Sequence, residues 1–106
     1  MDKEFQQAVE SLHAACWELS KLIPSVTVSF GKRGDHLFAM ANLLSVEDMN
    51  KIPVIPQIRD KGDSVPARQR YRIIKNYGGI EWCVYCDEEQ LLGLVVNPTQ
   101  EVASDA

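Results

Sequence analysis

Residues 3–22, KEFQQAVESLHAACWELSKL, decide the fold class. Phe5, Val9, Leu12, Cys16, Leu19 and Ile23 recur at spacings of three and four, which places them within a narrow arc of one helical face. The spacing predicts a helix over about Lys3–Leu22 that stops before Pro24, because the residue preceding a proline avoids the α region. Beyond Pro24 the chain reads mainly as strands and turns. One amphipathic helix covering one sheet face would then complete a two-layer α+β core.

Outward from the helix, Val26, Val28 and Phe30 alternate with Thr27 and Ser29, the pattern of a half-buried strand. Gly31-Lys32-Arg33-Gly34-Asp35 supplies a turn, and His36–Leu44 is predicted to return as the second strand of a hairpin, with a helix as the alternative because its apolar residues fall on both faces. Ser45-Val46-Glu47-Asp48 has the form of a capping box and opens a helix of one or two turns before Pro53. Lys51–Pro66 carries Pro53, Pro56 and Pro66 and reads as an irregular surface connection, a kind of segment that is often functional at this length. Arg68–Lys75, a turn at Asn76–Gly79 and Ile80–Cys86 form an antiparallel pair, and Gln90–Val96 is either a third strand of that meander or a short helix capped by Asp87. The expected sheet is therefore antiparallel, a hairpin plus a meander. The domain is placed at 1–98, with 99–106 as a small polar tail.

Composition narrows the class. With 106 residues, 45% hydrophobic and 25% charged, the chain suits one folded domain with one core. The acidic start, Asp2 to Glu4, does not read as a signal peptide, and no apolar run approaches ~18 residues, so a cytoplasmic protein without a membrane span is expected. Cys16, Cys83 and Cys86 are too few for a disulfide scaffold, in keeping with a reducing compartment. A net charge of −4 argues against a surface that attracts nucleic acid everywhere. Against that background Arg68, Arg70, Arg72 and Lys75 stand out, falling in eight residues that hold no acid.

The candidate surface starts from those residues. At period two Arg68, Arg70 and Arg72 would share one face of a strand, while Gln69, Tyr71 and Ile73 take the other. A guanidinium row suits phosphates or a partner's carboxylates, and Tyr77 at the adjacent turn offers a ring for stacking or pocket filling. The alternative is internal pairing with Glu81 or Asp87–Glu89 on the next strand. Trp17 projects roughly 120° from the centre of the apolar stripe, beside His13 and Glu10, and is read as an interface residue or as satellite core.

Two metal or redox readings concern the cysteines. Trp82-Cys83-Val84-Tyr85-Cys86 resembles the Trp-Cys-x-x-Cys redox string of thioredoxins, a likeness confined to those residues, since the cis-proline strand and the following helix of that fold have no counterpart here. His13, Cys16, Cys83 and Cys86 together form a valid tetrahedral zinc set, although Cys83 and Cys86 lie in a β-branched, aromatic run where a strand would point them to opposite faces. Arg33-Gly34-Asp35, Pro53-Val54-Ile55-Pro56 and Gly31-Lys32-Arg33-Gly34 lack the setting that an integrin ligand, an SH3 ligand and a P-loop require. Neither His13 nor His36 has a nucleophile and an orienting acid at recognisable spacing.

The leading expectation is thus a small non-enzymatic regulator or inhibitor without a cofactor, of a size suited to a phage or mobile element. It would act by protein–protein binding, homodimerisation included. Its partner-binding residues would be Arg68, Arg70, Arg72, Lys75, Tyr71, Tyr77 and Trp17. The alternatives are a nucleic-acid-binding module that uses Arg68–Lys75 and a zinc-stabilised small domain.

Overall fold

The computed structural model describes residues 2–97. Helix α1, Lys3–Ser20, starts where the Asp2 carboxylate accepts from the Phe5 N–H and ends before Pro24. Strands β1, Val26–Arg33, and β2, His36–Leu43, pair antiparallel from Val26↔Leu43 to Arg33↔His36. Helix α2, Val46–Met49, is one turn capped by Ser45, whose hydroxyl accepts from the Asp48 N–H. Strand β3, Gln57–Asp60, two 3₁₀ turns at Gly62–Ser64 and Ala67–Gln69, strands β4, Tyr71–Tyr77, and β5, Ile80–Cys86, and helix α3, Glu88–Leu91, complete the chain.

The five strands form one open sheet in the order β1-β2-β5-β4-β3. The α+β class therefore holds, but the sheet is mixed: β2 and β5 run parallel, joined only over Met40–Asn42 and Glu81–Cys83. Local alternation cannot reveal such a pairing between strands distant in sequence. The linker also departs from expectation. Gln57–Asp60 is ordered as an edge strand because Ile58 and Asp60 fall opposite Ile73 and Tyr71 of β4. Residues 88–91 take the helical option, secured by a capping box in which Asp87 and Gln90 satisfy each other's backbone N–H. The expected boundary at 98 and tail 99–106 lie outside the described residues.

One face of the sheet carries the core. Ala41 and Leu43 of β2, Trp82, Val84 and Cys86 of β5 and Ile73 of β4 pack with Val46, Met49 and Ile52 from α2 and the segment after it. Leu91 and Leu94 close the far side. The Asn50 side chain anchors that closure by donating to Gly93 O and accepting from the Val95 N–H, both at 2.8 Å. The N-terminal helix joins this layer only at its end, through half-buried Leu19 and the following Ile23. The rest of its apolar stripe does not reach the core: Phe5, Val9 and Leu12 are 60%, 49% and 61% exposed. Periodicity defined the face correctly, and the core it was expected to cover is taken by shorter elements.

The β4–β5 connection is a two-residue turn in which Gly78 and Gly79 adopt φ of 65° and 79°. Both central residues of such a turn need positive φ, which matches the twist of the flanking strands. Space around an added Cβ is open at both glycines, so a substitution is opposed by backbone conformation alone. Gly79→Val is expected to lower stability by about 1–2 kcal/mol, read from urea midpoints with unchanged slope.

Candidate functional site

The basic segment does not form the expected row. Arg68 lies in the 3₁₀ turn Ala67–Gln69, and Arg70 is the residue that terminates it, so β4 begins only at Tyr71. Arg70 Nε donates to Asp60 Oδ1 at 3.1 Å, with Asp63 at 3.6 Å, and its guanidinium lies 5.2 Å from the Tyr71 ring. The hydrogen bond from Arg70, followed by that from the Gly62 N–H, holds the Asp60 carboxyl below the usual carboxylate range. Arg72 Nε donates to Cys83 Sγ at 3.2 Å, and its other arm reaches Glu81 at 3.3 Å. That contact with Cys83, more than the nearby charges, keeps the Arg72 pKa above its already high value. Internal pairing thus occupies both arginines. Arg68 and Tyr77 remain exposed, and Arg59 stands directly across from Arg72.

Lys75 is the sharpest departure. It is 1% exposed, on the core face, and its ammonium donates to Met49 O at 2.9 Å and Ile52 O at 2.7 Å. A contact at the protein surface is therefore closed to it. Its parity with Tyr71 and Ile73 along the strand was the available signal, since period two sets it opposite the arginines. Desolvation lowers its pKa from the ordinary 10.5. Between that lowered value and the unfolded one, the unfolded chain binds the extra proton, so stability from this group rises with pH and is lost as pH falls through the folded pKa. Lys75→Met should remove one of two donors from each carbonyl, leaving the Ile52 N–H on Met49 O and the Val54 N–H on Ile52 O, and cost about 1 kcal/mol at pH 7. The gap between wild type and variant should widen in favour of wild type towards pH 10.5. Urea titrations of both chains across that range provide the check.

The proposed metal ligands do not converge. Cys83 and Cys86 are buried and project to opposite faces of β5, while Cys16 and His13 lie on α1. His13 makes an edge contact with Trp17 at 6.4 Å. Burial pushes the Cys86 thiol up, the reverse of what a reactive thiolate needs. Among the described residues there is no cluster of three or more His, Cys, Asp or Glu side chains able to hold a metal ion.

The surface that sequence reasoning missed is apolar. Because β2 meets β5 only from Met40 onward, the β1–β2 hairpin runs past the sheet as a two-stranded arm. Phe30 and Leu37 of this arm are 75% and 60% exposed. They lie on the same sheet face as Val28, and that face looks towards α1. Leu12, Cys16 and Leu19 form one wall and Val26, Val28 and Phe30 the other of an open groove of about 490 Å³. Trp17, 63% exposed, flanks the helical stripe. On the arm's reverse face Phe38 packs against His36 at 4.6 Å and under Arg33 at 5.6 Å. The alternation of Val26–Phe30 was legible as a strand, but the expected half-burial does not occur: Val26 alone is partly buried and the rest of β1 is exposed. Among the described residues no helix is long and apolar enough to cross a membrane.

In comparisons with known proteins, no family model, no curated protein and no solved structure matches this chain.

Proposed function

We propose that this protein is a non-enzymatic binding module of the cytoplasm, a small regulator or inhibitor that acts by docking on another polypeptide. The observation that carries this reading is the apolar groove between α1 and the β1–β2 arm, whose walls include Leu12 and Phe30 at 61% and 75% exposure. Isolated apolar residues on a surface are ordinary, but a contiguous set on two facing elements marks an interaction site. Each such side chain contributes about 1.5–3 kcal/mol when a partner removes it from water. Trp17, exposed beside the helical stripe, adds a residue type enriched at interface hot spots.

The basic segment supports a nucleic-acid partner less well than its sequence alone would, because Arg70 and Arg72 are engaged internally and Lys75 is buried. The docking surface therefore moves from the strand to the groove. The double variant Val9→Asp, Leu12→Asp sets one charge in that groove and a second one turn along the same helical stripe, without altering a buried residue, since α1 contains none. Its far-UV spectrum should match wild type, while recovery of bound polypeptide in affinity capture from the host falls at least tenfold. A variant that retains every polypeptide the wild type retains would reject the groove as the docking surface.

A further inference from the structure

Taking the groove as a protein-docking surface, on which its occupant depends, we propose that a second copy of this chain fills it, with the two α1 helices antiparallel across a two-fold axis near Leu12.

Exposed area suits such an occupant. Given the exposures of Phe5, Val9, Leu12, Val28, Phe30 and Leu37, the apolar surface on the two walls and their extensions is on the order of 700 Å² per copy. A stable interface takes about 800 Å² from each partner. One copy of the helix and arm therefore offers what half a dimer interface requires.

The stripe is also self-complementary. A two-fold interface must match itself, residue i meeting j while j meets i. Counted from Leu12, the stripe has apolar side chains at Phe5 and Val9 on one side and at Cys16 and Leu19 on the other, nearly mirror-symmetric in spacing. Reversed about Leu12, Phe5 comes level with the partner's Leu19, and Ala8 with the partner's Cys16. An 18-residue helix is about 27 Å long, and an eight-residue strand such as β1 is about the same, so the entering helix spans the whole wall.

Helix dipoles select the direction of packing. The side-chain charges at the two ends largely cancel, Lys3 lying between Asp2 and Glu4 and Lys21 pairing with Glu18 at 3.2 Å. Antiparallel stacking opposes the two helix dipoles, setting the positive start of each helix beside the negative end of the other. A parallel arrangement would align them.

The experiment uses the full chain in sedimentation equilibrium over a wide concentration range. Wild type should approach twice 11.9 kDa. Leu12→Asp should weaken association at least tenfold with its far-UV spectrum unchanged. The antiparallel geometry is read by Ala8→Cys, which should give an intermolecular disulfide to the partner's Cys16 under mild oxidation. Cys16 should not cross-link to the partner's Cys16 in wild type, because antiparallel packing separates the two by about 12 Å along the helices. A wild-type chain that stays at monomer mass overturns the proposal, as does a dimer indifferent to Leu12→Asp. Ready Cys16 cross-linking in wild type, or none in Ala8→Cys, overturns the antiparallel arrangement. Monomeric wild type whose captured polypeptides are lost from the groove variant would leave the docking function standing and refute only the second copy; capture that is indifferent to the variant would refute the docking surface itself.

Discussion

A short parallel seam holds the two halves of this chain in one sheet. Met40–Asn42 of β2 and Glu81–Cys83 of β5 are its only residues. A parallel pair cannot be joined by a tight turn, so the chain must leave β2, pass through α2, the linker, β3 and β4, and come back. Of these intervening elements, α2 and the segment after it cover the core face. Because the seam is short, the arm beyond it is paired, among the described residues, only with its own hairpin partner. Helix α1 is tethered to the start of β1 and faces that arm across the open groove. One constraint thus produces a well-covered core at one end and an apolar groove at the other.

At the covered end, irregular backbone is kept in place by side chains that answer its polar groups. Buried carbonyls need donors, and in the segment after α2 the Lys75 ammonium serves two of them. Lys51 bridges Leu22 O and the Asp48 carboxylate, fastening the end of α1 to α2. Asn50 does the same for the segment after α3. Three neighbouring elements without long hydrogen-bond ladders therefore act as one lid. Burying a lysine for this purpose costs desolvation, which is what lowers its pKa.

Much of this was legible in the residues. The helix limits followed from the stripe and Pro24, the hairpins from alternation and paired glycines, the short second helix from Ser45. All of these are local. The β2–β5 pairing is not, and with it went the knowledge of which surfaces are covered. Amphipathic spacing says that Phe5, Val9 and Leu12 share a face, but not what that face meets. At Arg68–Lys75 the pairing of Arg72 with Glu81 was among the alternatives the residues offered, whereas Asp60 comes close to Arg70 only once β3 flanks β4. Lys75 shares its parity with Ile73, a local signal of burial that its charge outweighed.

The two tryptophans divide the molecule spectroscopically. Trp82 is 8% exposed within the core, its indole N–H donating to Tyr77 O, whereas Trp17 is 63% exposed on α1. An indole in an apolar, hydrogen-bonded setting emits at shorter wavelength than one in water. The intrinsic fluorescence of this chain is therefore a sum of two separable signals, the blue component belonging to the sheet and the red one to the helix.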